Sequence, residues 1–66
     1  MKIILNKEER EMPADATLLD VLTQLGLNPK AVVAQRNGDI VARGDFASTI
    51  LFDGDTLDLV RFVGGG

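Results

Sequence analysis

Apolar residues recur at helical spacing in the segment that follows Thr17. The members of this run are Leu18, Leu19, Val21, Leu22 and Leu25. Intervals of three and four residues place most of them on one face of a helix. Thr17 with Asp20 three residues later resembles a capping box, and Gly26 suits the left-handed position that closes a helix. The pattern predicts a helix over Leu18 to Leu25 whose leucines belong to the core.

Shorter segments on both sides of this helix predict strands, and most of them are apolar. Residues 3–5 and 10–12 flank a polar segment, residues 6–9, and together predict a β-hairpin. Residues 31–36 and 39–42 flank Asn37-Gly38, a strong signal for a tight hairpin turn. Residues 43–48 show no clear period, and we predict a loop there with room for one helical turn around residues 45–48. Asp53-Gly54-Asp55 predicts a turn into a last strand over residues 56–63.

The predicted order of elements is therefore β, β, α, β, β, β. One helix across one face of a mixed sheet buries the leucines economically, and this is the architecture of the β-grasp, or ubiquitin-like, fold of the α+β class. In that arrangement the first and last strands lie side by side at the centre of the sheet. We expect residues 1–63 to form a single domain and residues 64–66 to form a flexible glycine tail.

Composition narrows the classes of function. The chain has 66 residues with no Cys and no His, which removes disulfides, thiolate nucleophiles and the usual neutral-pH base. A formal net charge of -3 disfavours nucleic acid and anionic membranes as partners. The first six residues resemble neither a signal peptide nor a membrane span, so a cytoplasmic location is expected. Asp53 and Asp55 lack the other ligands of a calcium loop, so we predict turn residues there and no metal site.

The chain ends in Gly64-Gly65-Gly66, directly after the last predicted strand. Glycine has no Cβ, so such a tail can thread into a narrow active site of another protein. This ending predicts a substrate of partner enzymes rather than an enzyme, although a triple glycine can also be a terminus without a role.

The last strand offers a second candidate feature beside the tail. Alternation places Leu57 and Leu59 on one face and Val60 and Phe62 on the other. Val60 and Phe62 either form a docking surface for partner enzymes or complete a small core. Arg61 is either a partner contact or a solvated strand residue.

The spacing from Asn37-Gly38-Asp39 through Arg43 and Asp53-Gly54-Asp55 to the ending "DGDTLDLVRFVGGG" resembles the ThiS family of thiamine-pathway sulfur carriers. The resemblance covers essentially the whole chain. It implies that a ThiF-type, E1-like adenylyltransferase uses ATP to adenylate the Gly66 carboxylate while Gly64 and Gly65 thread the tail into the enzyme. It further implies that a persulfide donor leaves a thiocarboxylate there, and that a ThiG-type thiazole synthase takes the sulfur.

The chain itself is expected to bind no cofactor, since ATP and the sulfur donor act through the partner enzymes. Two alternatives stay open at this point. One is a MoaD-type small subunit of molybdopterin synthase, which shares the fold and the Gly-Gly end. The other is a ubiquitin-like modifier that becomes joined to lysines.

Overall fold

The computed structural model describes residues 1–62, so Val63 and the predicted glycine tail lie outside the described residues. The strands are β1 (Lys2–Leu5), β2 (Glu8–Glu11), β3 (Val32–Arg36), β4 (Asp39–Val41) and β5 (Thr56–Arg61). The helix is α1 (Leu18–Leu25), and short 3₁₀ turns cover Pro29–Ala31 and Arg43–Asp45. The predicted order of strands and helix is confirmed.

The strands form a five-stranded sheet in the order β2-β1-β5-β3-β4. Strands β1 and β5 run parallel at its centre, and every other neighbouring pair is antiparallel. The predicted pairing of the first and last strands is therefore confirmed. Strand β3 flanks β5 as far as Arg61, whereas β1 flanks only its first residues, where Ile4 pairs with Thr56 and Leu5 with Leu57.

The helix begins and ends where its capping residues predict. The Thr17 hydroxyl accepts a hydrogen bond from the Asp20 N–H, and the Asp20 carboxylate accepts one from the Thr17 N–H, which completes a capping box. Gly26 takes the left-handed conformation, with φ of 71°. The Leu27 N–H then donates to the Leu22 carbonyl over 2.9 Å, a closing bond of the Schellman type.

The core lies between α1 and one face of the sheet. Leu18, Val21 and Leu22 of the helix are buried. The sheet residues beneath them share the same face, and the buried ones are Ile3, Leu5, Val32, Ala34, Leu57 and Leu59. Leu25 and Leu27 pack against the margin of this cluster. The opposite face of the sheet has no helix over it within residues 1–62.

Several predicted boundaries were wrong by a few residues. The first hairpin turns at Asn6-Lys7 alone, because the register pairs Leu5 with Glu8, so β2 begins at Glu8 rather than at residue 10. Asn6 and Lys7 both have positive φ, 48° and 71°, as a type I′ turn requires. Residue 31 belongs to a 3₁₀ turn, the helical turn of the 43–48 loop covers Arg43–Asp45, and β5 ends at Arg61.

Candidate functional site

The C-terminal half of β5 presents two different faces. Leu57 and Leu59 are buried against the helix, at 0% and 9% exposure. Val60 is 63% exposed and Phe62 is 39% exposed. The predicted alternation along the strand is confirmed, and the interpretation of Val60 and Phe62 as core residues is wrong. Whether these two side chains dock a partner stays a prediction.

Val60 belongs to a larger apolar surface on the helix-free face. It pairs directly across the sheet with Val33, which is also exposed. Ile40 of β4 pairs with Gln35, two residues along β3 from Val33, and it is 70% exposed. Side chains that are opposite or diagonal in a sheet share one surface. We call Val33, Ile40, Val60 and Phe62 the open-face patch.

Sequence reasoning missed two members of the open-face patch. Val33 follows buried Val32, so alternation along β3 alone would have predicted its outward direction. Its position opposite Val60 depends on the register between β3 and β5, which joins strands separated by many residues. Ile40 lies two residues after the hairpin turn, and its place diagonal to Val33 follows from the register between β3 and β4.

Arg61 does not share the surface of Val60 and Phe62. It pairs with Val32, whose side chain is buried on the helix side, so alternation places the Arg61 side chain on that side as well. Arg61 is exposed all the same, because it lies at the end of the strand. The structure thus brings Val60 and Phe62 together and separates Arg61 from them.

Asn6 fixes the end of β1 against β5. Its backbone N–H donates to the Leu57 carbonyl over 2.9 Å, and its side-chain oxygen accepts from the Leu59 N–H over 2.8 Å. The side chain therefore replaces the next backbone carbonyl that a longer β1 would have offered. Asn tolerates the left-handed backbone that lets the chain turn away here. Pairing between β1 and β5 stops at Leu59 for this reason.

A buried carboxylate fixes the other end of β5. Asp55 is only 8% exposed, and its oxygens accept hydrogen bonds from Arg36 Nε at 3.0 Å, Asn37 Nδ2 at 3.1 Å and the Phe52 N–H at 2.9 Å. Burial raises the pKa of Asp55, but these hydrogen bonds and the Arg36 charge outweigh it, so the pKa lies below its ordinary value of 3.8. The Asp55 N–H donates to the Phe52 carbonyl over 3.0 Å, and the Asp55 carboxylate accepts from the Phe52 N–H, so Asp53 and Asp55 lie in the predicted turn. The Asp53 carboxylate joins this turn to β1 by accepting from the Lys2 N–H.

We expect Asp55→Asn to lower the free energy of unfolding near neutral pH by about 1.5–3 kcal/mol, the usual scale for hydrogen bonds to a charged group. A lowered folded-state pKa stabilises the fold above the unfolded-state pKa, and that contribution is lost as the pH falls through the folded-state value. The difference between wild type and Asp55→Asn should therefore shrink on acidification below about pH 4.

Urea unfolding at a series of pH values measures this difference. Asp53→Asn is the matched control, because Asp53 is exposed and, among residues 1–62, its side chain accepts only the Lys2 N–H, over 2.7 Å. A destabilisation by Asp55→Asn that stayed constant down to about pH 2 would show that the carboxylate charge does not contribute.

The described residues offer little chemistry of their own. Among residues 1–62, no three acidic side chains lie close enough to hold a metal ion. The chain contains neither Cys nor His. None of the helices in residues 1–62 is long and apolar enough to cross a membrane. What the arrangement provides is a central strand, β5, whose first residues are buried and whose last residues lie beside an exposed apolar surface.

The sheet topology and the position of the helix define the fold class of this protein. A mixed five-stranded sheet with parallel central strands and one α-helix on one face is the β-grasp, or ubiquitin-like, fold. The crystal structure of the thiamine biosynthesis protein ThiS from Geobacter metallireducens matches it with a TM-score of 0.84 and 25% identity, over 100% of both chains.

Within that class, residues 3–66 match the family model described as the ThiS family. The chain belongs to the ThiS family. The matched range includes all of the terminal glycines.

Curated relatives of two kinds support this assignment. The sulfur carrier protein ThiS of Bacillus subtilis is 36% identical over 50 residues, which cover 76% of each chain. The thiazole synthase of Paramagnetospirillum magneticum is 39% identical over 66 residues, which cover 100% of this chain and 20% of the relative. The chain therefore spans about a fifth of the length of that synthase.

Proposed function

We propose that this protein is the sulfur carrier for the thiazole moiety of thiamine. The observation that carries the proposal is the match of residues 3–66, the glycines included, to the ThiS family. In this role the chain is a substrate of its partner enzymes and catalyses nothing itself. Its Gly66 carboxylate is the reacting group, and Gly64 and Gly65 form the thread that enters each active site.

The proposed chemistry begins with activation. An E1-like enzyme of the ThiF type joins the Gly66 carboxylate to the α-phosphorus of ATP, which breaks the bond to the β-phosphate and releases pyrophosphate. A persulfide sulfur then attacks the activated carbonyl carbon and displaces AMP, which leaves an acyl disulfide. A thiol reductively cleaves that S–S bond and leaves the thiocarboxylate. The partner enzymes supply the bases and the electrostatic stabilisation for these steps.

The thiazole branch is favoured by the kind of relatives found. One relative is named as a sulfur carrier, and another, which this chain matches along its whole length, is named as a thiazole synthase. A chain that contains both a carrier-like region and a synthase suggests that separate versions of these two parts act together. We therefore propose a ThiG-type thiazole synthase as the protein that receives the sulfur.

Intact-mass spectrometry tests the proposal directly. Incubation with ATP, the ThiF-type enzyme of the same organism, a persulfide donor and a thiol should exchange one oxygen of the Gly66 carboxylate for sulfur. Fragmentation of the product should place the mass change at Gly66. A conjugate to lysine with no sulfur at Gly66 would instead establish a protein modifier and overturn the proposal.

A further inference from the structure

The backbone groups of β5 point alternately toward its two neighbouring strands, β1 and β3. Odd-numbered residues of β5 direct their N–H and C=O groups toward β1. Asp55 and Leu57 accept from Ile4 and Asn6 on that side, both over 2.9 Å. Even-numbered residues face β3, since the Thr56 carbonyl accepts from the Asn37 N–H over 2.8 Å. Phe62 also faces β3, because its N–H donates to the Ala31 carbonyl over 3.1 Å.

This alternation fixes where the later groups of β5 point. The Leu59 carbonyl and the Arg61 N–H lie on the β1 side. There the β1 chain has already turned away at Asn6-Lys7, and the Asn6 side chain takes only the Leu59 N–H. Among residues 1–62, no hydrogen-bond partner faces the Leu59 carbonyl or the Arg61 N–H on this side. The central strand therefore has a free edge over its last residues.

We propose that this free edge of β5 is a strand-addition site, and that its occupant is an extended segment of the thiazole synthase. An added strand would lie about 4.8 Å from β5 and pair with the Leu59 carbonyl and the Arg61 N–H. The choice of the synthase rests on the proposed function and on the relative in which a carrier-like region and a synthase form one chain.

The free edge lies close in sequence to the terminal glycines, so pairing there would orient the glycine tail. Arg61 lies three residues before Gly64, so a strand held there fixes the direction in which the glycines leave the domain. Backbone pairing does not depend on side-chain identity, which suits a segment followed by glycines. The open-face patch and the free edge are also independent, because the patch consists of side chains above the sheet while the edge lies in its plane.

Proline at position 61 isolates the proposed contact. Arg61→Pro removes the outward N–H and the side chain together, while Arg61→Ala removes the side chain alone. Proline is tolerated where a strand N–H faces outward, so both variants should unfold at similar urea concentrations. Val60→Pro is the structural control, because the Val60 N–H faces β3 and its loss should destabilise the sheet.

Titration calorimetry with the thiazole synthase of the same organism measures the effect. We expect Arg61→Pro to bind about tenfold more weakly than Arg61→Ala, the scale of one lost backbone hydrogen bond. In the wild type, amide hydrogen exchange at Arg61 should be fast in the free protein and slowed by the synthase. Should Arg61→Pro unfold, this exchange measurement decides the question alone.

Equal binding of Arg61→Pro and Arg61→Ala by the synthase would overturn the strand-addition site. So would unchanged exchange at Arg61, or slowing by the ThiF-type enzyme and not by the synthase. Formation of the thiocarboxylate on wild-type Gly66 is scored separately. Thiocarboxylate formation therefore tests the sulfur-carrier function, while binding and amide exchange with the synthase test the strand-addition site.

Discussion

Deletion of Gly66 should abolish activation of this protein. The proposed acceptor is the carboxylate of Gly66, and in the shortened chain the terminal carboxylate would sit one residue short of the ATP α-phosphate. Glycine contributes no side chain to the core, and the last strongly buried side chain of β5 is that of Leu59. The variant should therefore fold with an unchanged urea midpoint, while ATP–pyrophosphate exchange catalysed by the ThiF-type enzyme falls to background.

Gly65→Val tests the proposed threading of the glycine tail into the activating enzyme without shortening the chain. A β-branched side chain widens the thread and restricts the backbone and χ1, so exchange should slow severely. Gly65→Ala is the matched control, since it adds the smallest side chain and should slow exchange less than Val does. Normal exchange by the Gly66 deletion or by Gly65→Val would mean that the glycines have no role in activation.

The local pattern of the sequence predicted most of the fold. The helix has the predicted ends because its start and stop depend on neighbouring residues, Thr17 with Asp20 and then Gly26 with Leu27. The hairpin at Asn37-Gly38 follows from the backbone that those two residues favour. The first hairpin was placed less accurately, because Asn6-Lys7 lacks the glycine that marks such turns and the charged β2 has no apolar alternation to fix its start.

The candidate site was predictable in part. Alternation along β5 is local, so it correctly separated buried Leu59 from exposed Val60. The register between β3 and β5 is not local, and it places Val33, with Ile40 beside it on β4, next to Val60 in the open-face patch. The free edge could not be predicted from the sequence either, because it depends on where Asn6 meets Leu59 across the sheet.

Charge introduced into the open-face patch should weaken partner binding without unfolding the protein. Val60 is 63% exposed and lies opposite Val33, so Val60→Glu places a carboxylate in the middle of an apolar surface. A hot-spot residue at the centre of an interface costs about 2 kcal/mol or more when it is replaced, so affinity for the ThiF-type enzyme should fall at least about tenfold. Phe62→Glu should act in the same direction. The free energy of unfolding should change by no more than about 1 kcal/mol in each variant, as is usual for surface positions.

Phe52→Glu is the control for these charge substitutions. Phe52 is 61% exposed, much like Val60, but it lies near the other end of β5. There the Arg36 Cζ atom lies over its ring, 5.5 Å from the ring centroid. Its replacement adds the same charge to the protein and should leave affinity for the activating enzyme within about twofold, since surface charges away from an interface contribute little. Binding measured by surface plasmon resonance at physiological salt separates the two positions. If Val60→Glu and Phe52→Glu weakened binding equally, net charge rather than the open-face patch would govern docking, and Val60 and Phe62 would lose their assigned role.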